Sequence, residues 1–107
     1  MLERRFQTGV VELSYAEGPA VGPALVLLHG GAGSWKSGGA LIDMLAERWH
    51  VYAPDFRGHG KSGHAPGRYR LRDYVADTAA FLEQVVKEPA VLYGHSLGGE
   101  VAIDDIC

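Results

Sequence analysis

The sequence holds a single cysteine, Cys107, so no disulfide can form within it. No apolar run approaches the length of a membrane span. The first residues, Met1-Leu2-Glu3-Arg4-Arg5, contain no apolar segment of signal-peptide length. Neither sign of charge dominates: the formal net charge is −3, and no basic patch suits nucleic acid. Charge runs, repeats and low-complexity tracts are absent as well. These absences argue against a disulfide scaffold, a membrane partner and a nucleic-acid partner, and favour a soluble, cytoplasmic protein. At 107 residues the chain is long enough for one small domain.

Glycine is the residue in excess. Its 15 occurrences are about twice the usual share for this length. They gather at 30–39, 58–67 and 94–99, each group just after an apolar run. That placement predicts loops at strand ends, where open α/β sheets bind ligands.

Residues Arg4 to Tyr15 read as two short strands around Gly9. Val11, Leu13 and Tyr15 alternate with polar residues, as in a half-buried antiparallel hairpin. The run Ala24-Leu25-Val26-Leu27-Leu28 is too short for a helix and suits a strand buried on both faces. It leads into His29-Gly30-Gly31-Ala32-Gly33-Ser34-Trp35. Glycines after a buried strand let successive backbone N–H groups converge on an anion. His29 is expected to brace this loop rather than serve as a base. Trp35 could line an entrance or pack the loop.

A helix is predicted over residues 38–49. Leu41, Met44, Leu45 and Trp49 recur at helical spacing, and Met44 and Trp49 are expected in the core. His50-Val51-Tyr52-Ala53-Pro54 is the next strand, followed by Asp55-Phe56-Arg57-Gly58-His59-Gly60-Lys61-Ser62. Gly60-Lys61-Ser62 superficially matches a phosphate loop, but Asp55 stands where that loop needs its first glycine. Asp55 and Arg57 are instead expected to tie the turn down by hydrogen bonds. His59 and His64 lack the further ligands that a metal site needs. No metal, nucleotide or organic cofactor is implied. Residues 71–87 predict a second helix, with a stripe of Leu71, Tyr74, Val75, Thr78, Phe81, Leu82 and Val85. The alternation of strands and helices implies right-handed crossovers and a parallel sheet.

The stretch that organises the rest is Ala90-Val91-Leu92-Tyr93-Gly94-His95-Ser96-Leu97-Gly98-Gly99-Glu100. Apolar residues run into G-x-S-x-G, which reads as a strand turning sharply into a helix with Ser96 at the apex. Such an apex demands small neighbours two residues before and after, and Gly94 and Gly98 supply them. The backbone N–H of Leu97, opening the helix, would face an oxyanion formed by attack from Ser96.

Three stretches in order carry a family resemblance: His29-Gly30-Gly31, Asp55-Phe56-Arg57-Gly58-His59-Gly60-Lys61-Ser62, and Gly94-His95-Ser96-Leu97-Gly98-Gly99. Together they resemble the α/β-hydrolase fold family, in its branch of small-molecule esterases, lipases and C–C hydrolases. The likeness implies an α/β fold in which an antiparallel hairpin leads into a mostly parallel sheet flanked by helices. It implies Ser96 as nucleophile, and Leu97 and Gly31 as backbone donors to an oxyanion, with Ala32 a weaker substitute for Gly31. The implied substrate is a small molecule with an ester or related carbonyl. Serine at the apex argues against the dehalogenase and epoxide hydrolase branches, which carry aspartate there.

The family order is Ser, then an acid, then His, and no histidine follows Ser96. The expectation is therefore a partial domain over 1–107, without the later strands, the cap and the acid and histidine of the triad. Asp104 and Asp105 set two charges where the family helix would be apolar. Residues Asp104 to Cys107 are accordingly expected not to be the ancestral continuation, as after a truncation, an alternative splice end or a premature stop. The strand before Ser96 would then be an apolar sheet edge, prone to aggregate unless a second chain or the missing C-terminal half covers it. The alternative to a serine hydrolase is a non-catalytic fragment or a binding module.

Overall fold

In the computed structural model, five strands form one mixed sheet in the order β1-β2-β4-β3-β5. Residues 1–31 and 33–106 are described, the last three by their backbone alone. The expectations placed on Ala32, on the side chains of Asp104 and Asp105, and on Cys107 lie outside the described residues.

Strands β1 (Leu2–Gln7) and β2 (Glu12–Glu17) make the hairpin, in antiparallel register from Leu2 opposite Glu17 to Gln7 opposite Glu12. Its turn contains Gly9 at φ +100°, a conformation that costs a residue without Cβ little. Val11, Leu13 and Tyr15 are buried as their alternation predicts, but Ser14 and Ala16 are buried too. β2 is therefore covered on both faces rather than half-buried. The cover over Ser14 is the turn after β4 (His50–Pro54): the Ser62 hydroxyl accepts the Ser14 N–H at 2.8 Å and donates to the Asp55 carbonyl at 2.6 Å.

Strand β3 (Ala24–Leu28) is buried along its whole length and runs parallel to β4 on one side and to β5 (Ala90–Gly94) on the other. Strand alternation splits its side chains between two cores. Val26 and Leu28 join Tyr15, Tyr52, Phe56, Tyr74, Phe81 and Val101 beneath helices α2 (Leu71–Phe81) and α3 (Leu97–Ile106). Leu25 and Leu27 join Ala16, Ile42 and Ala53 beneath α1 (Gly39–Leu45) on the opposite face.

The helix expected over residues 38–49 is shorter than its apolar spacing suggests. A 3₁₀ turn, Trp35–Gly38, precedes α1, and residues 46–49 close in turns whose N–H groups return to Ile42, Met44 and Leu45. The buried side chain is Ile42; Met44 is 63% exposed, which corrects its expected place in the core. Trp49 does pack against that core, half-buried. The second helix is α-helical only as far as Phe81. A wider π turn, Leu82–Val86, completes it and swings Val86 into the core. Lys87 at φ +60° then ends it.

Strand β5 is the edge of the sheet among the described residues. Its outward side chains Val91 and Tyr93 are 48% and 46% exposed, and Ile103 on α3 is 64% exposed.

Candidate active site

Three loops meet at the end of the sheet reached by β3, β4 and β5. In the loop after β5, Ser96 has φ +55°, a left-handed conformation that costs a side-chain-bearing residue roughly 1–2 kcal/mol. Only Lys87 shares that sign of φ among the described residues other than glycine. Helix α3 begins at the next residue, Leu97. The turn is held by backbone bonds: His95 N–H donates to the Leu28 carbonyl at 3.1 Å, Gly98 N–H to His95 at 3.0 Å and Glu100 N–H to Ser96 at 3.1 Å.

Both flanking glycines are required by space. A Cβ on Gly94 would fall on the Gly98 carbonyl, and one on Gly98 would fall on the carbonyls of Leu28 and His29. Helix α3 can thus start directly against β3 and β5 only because these two positions carry no side chain. Ser96 is exposed at the turn. Leu97, the first helical residue, has an N–H that no carbonyl of its own helix can take up.

The loop after β3 is shaped by a side chain instead. His29 is buried, and its Nε2 accepts the Phe56 N–H at 2.9 Å. That bond fixes the tautomer: Nδ1 carries the proton and donates to the Gly30 carbonyl at 2.6 Å. Burial pushes the His29 pKa below its ordinary value; the Gly30 bond opposes this, neighbouring His59 adds to it, and Asp55 opposes it. His29 therefore braces the loop, as expected. A Cβ on Gly30 would meet His95 Nδ1 at 2.8 Å, so the loops after β3 and β5 are in direct contact. Gly31 is exposed, with open space where a Cβ would be. Its glycine is not demanded by crowding, unlike those at 30, 94 and 98.

A matching family profile, that of the alpha/beta hydrolase fold, covers residues 23–103, most of the chain. The chain belongs to this family. It is 39% identical over 87 residues to the magnesium-chelatase 30 kDa subunit of Rhodobacter capsulatus, covering 80% of this chain and 31% of that protein. It is 30% identical over 102 residues to 2-(acetamidomethylene)succinate hydrolase of Mesorhizobium japonicum, covering 95% of this chain and 36% of that one. Among solved structures, an N-acyl homoserine lactonase complexed with N-hexanoyl homoserine superimposes with a TM-score of 0.91 at 28% identity, over 98% of this chain and 40% of that one. The chain thus spans about a third of the length of the curated relatives it matches. The mixed sheet with its flanking helices corresponds to the N-terminal portion of the alpha/beta hydrolase fold.

In this hydrolase-fold chain the loop after β4 is locked by the two residues expected to tie it down. Asp55 accepts the Trp35 N–H at 2.7 Å and the Lys61 N–H at 3.0 Å. A Cβ on Gly60 would strike that carboxylate. Trp35 packs against the α1-side core, so of its two open roles the structure assigns it packing. Arg57 reaches Asp77 of α2 with two bonds, at 2.7 Å from Nε and 2.6 Å from a terminal nitrogen, and donates to the Arg68 carbonyl at 3.1 Å. Both side chains are buried, and Asp77 holds the guanidinium firmly charged. No sequence motif marks Asp77, although position 77 lies between Tyr74, Thr78 and Phe81 on one helix face. A charge inside an apolar stripe was the available signal for a buried partner.

Of the other histidines, His95 sits beside Ser96 in the same turn, and the remaining three have partners of their own. His50 pairs with Glu17 at 2.7 Å, His59 donates to the Arg57 carbonyl at 3.0 Å, and His64 lies 3.5 Å from the Tyr69 hydroxyl. Among the described residues there is no group of three or more His, Cys, Asp and Glu able to hold a metal ion. No described helix is long and apolar enough to cross a membrane. A cleft of about 340 Å³ beside the loops is lined by, among others, Leu27, Leu41, Gly30, Tyr93 and His95.

Proposed function

We propose that this chain carries the nucleophile half of a serine hydrolase acting on an ester or related carbonyl of a small molecule. The observation that supports this most strongly is the backbone of Ser96. A left-handed serine, exposed between two glycines that cannot be replaced without collision, is an expensive way to join a strand to a helix. It has a chemical rationale if the hydroxyl must stand clear of the sheet. In the proposed reaction Ser96 Oγ loses its proton to a base and bonds to the carbonyl carbon. The carbonyl oxygen takes the negative charge, held by the N–H groups of Leu97 and Gly31. Collapse expels the alcohol or equivalent leaving group with a proton, and water then releases the acid and regenerates Ser96. The contact between Gly30 and His95, which brings the two donor-bearing loops together, favours that pairing. The chemistry named for the relatives, a succinate-derivative hydrolase and a lactonase, favours a small-molecule substrate.

The base and the acid that orients it are proposed to come from residues outside these 107, in the same polypeptide or in a second chain reaching the turn across the edge of β5. Residues 1–107 are then a partial domain. The second reading is a non-catalytic fragment or binding module. A fluorophosphonate probe separates the two. Mapping of the adduct to Ser96 at rates usual for serine hydrolases, with loss of labelling in Ser96→Ala, is the expected result for the whole catalytic unit. Absent or very slow labelling of that serine would leave the non-catalytic reading.

A further inference from the structure

We infer that His29 is a positioning residue for the Gly31 N–H, acting through the Gly30 carbonyl; its link to catalysis rests on the reading of Ser96 given above. The peptide between Gly30 and Gly31 is trans, so its carbonyl and its N–H point in opposite directions. Whatever holds the Gly30 oxygen therefore aims the Gly31 hydrogen. Two donors hold that oxygen: His29 Nδ1 at 2.6 Å from within the protein, and the Gly33 N–H at 3.2 Å from across the turn. The oxygen is drawn toward a buried ring, so the N–H is turned outward, where Gly31 is exposed.

The ring is itself fixed from its far side. Phe56 N–H donates to Nε2 at 2.9 Å, and the Phe56 ring lies against the imidazole with centroids 4.7 Å apart. Phe56 belongs to the turn that Asp55 and Ser62 lock to β2 and to Trp35. A rigid element therefore sets the imidazole, the imidazole sets a carbonyl, and the carbonyl sets an amide. Glycine at 30 and 31 leaves that peptide free to rotate, and nothing in its own side chains opposes a flip. Both bonds need a neutral ring protonated at Nδ1: burial favours the neutral ring, and the Phe56 N–H selects the tautomer.

Two substitutions divide the imidazole into its halves. The amide nitrogen of His29→Asn stands near the Nδ1 position and can still donate to Gly30, but nothing accepts the Phe56 N–H. The amide oxygen of His29→Gln reaches toward the Nε2 position and can accept from Phe56, but the bond to Gly30 is lost. The readouts are the backbone order parameter of the Gly31 amide by ¹⁵N relaxation and the rate of Ser96 phosphonylation by a fluorophosphonate, the latter in the whole catalytic unit. In His29→Gln the Gly31 order parameter is expected to fall from about 0.85 to below about 0.6. Phosphonylation should slow by at least about tenfold, the lower range for losing one oxyanion donor being about a hundredfold. His29→Asn should retain most of both. An unchanged Gly31 amide in His29→Gln, or equal loosening in both variants, overturns the inference. Labelling that fails in the unaltered whole catalytic unit while Gly31 still loosens only in His29→Gln overturns the reading of Ser96 and leaves the positioning intact. Independently of any variant folding, ¹⁵N shifts of the unaltered protein must report a protonated Nδ1 on His29; a protonated Nε2 contradicts the inference.

Discussion

The loops after β4 and β5 end neighbouring parts of one sheet but are shaped by opposite means. The loop at residues 55–63 is built from polar side chains: Asp55 and Ser62 bind backbone groups, and Arg57 binds Asp77, until little freedom is left. The loop at residues 94–98 is built by removing side chains, so that backbone meets backbone at Gly94 and Gly98. The first is a frame. The second leaves Ser96 exposed at its apex, beside an exposed His95. The loop after β3 joins them, resting on the frame through His29 and touching the turn of Ser96 through Gly30.

If this division is right, the frame should fail by loss of a partner and the Ser96 turn by gain of an atom. The largest effect is expected from Asp77→Ala, which leaves the Arg57 guanidinium buried and unpaired. Breaking such a pair costs about 3–5 kcal/mol, measurable by urea unfolding. Gly98→Ala comes next. Its added methyl collides with the Leu28 and His29 carbonyls, at the upper end of the roughly 1–3 kcal/mol typical of overpacking. Gly31→Ala is the internal contrast. With open space and no positive φ, it should shift stability by no more than about 0.5 kcal/mol. Equal costs for the two alanines would erase the distinction between required and incidental glycines.

The frame should also sense pH through His29. Its folded pKa lies below its ordinary value, so below about pH 6.5 the unfolded chain binds a proton that the folded one refuses. The stability that His29 contributes is full above that ordinary value. It is lost as pH falls from there toward the folded pKa. Subtracting the pH profile of His29→Asn from that of the unaltered protein should isolate this loss. An unaltered-minus-variant stability that instead shrinks as pH rises through this range would mean that the imidazole is buried charged.

Much of this was legible in the sequence because it follows from short-range rules. The apolar run at 24–28 had to be a buried strand, and Gly94 and Gly98 announced a turn where backbones touch. Asp55 and Arg57 were readable as loop ties because polar residues in a glycine-rich turn need partners. What escaped depends on contacts distant in sequence. Alternation on β2 suggested a half-buried hairpin, yet Ser14 is buried because Ser62, 48 residues away, lies on it. Helical spacing placed Met44 in the core, but the chain leaves the helix at Leu45 and the core takes Ile42 instead. Asp77 was passed over because a carboxylate on a helix is usually solvated; here Arg57 draws it inward. The tautomer of His29, on which the geometry of Gly31 turns, could come only from coordinates.

The central claim is that the strain at Ser96 is kept for chemistry and not for folding. Its most direct test is the unfolding free energy of Ser96→Gly against the unaltered protein. Glycine adopts the left-handed conformation without the side-chain penalty but is the more flexible when unfolded, which costs roughly 0.4–1 kcal/mol in return. The account predicts a variant at least as stable as the original, gaining up to about 1.6 kcal/mol, the margin between those opposing terms. A loss of more than about 1 kcal/mol, well beyond the usual range for an exposed position, would mean that the Ser96 side chain supports the fold, and would contradict the claim.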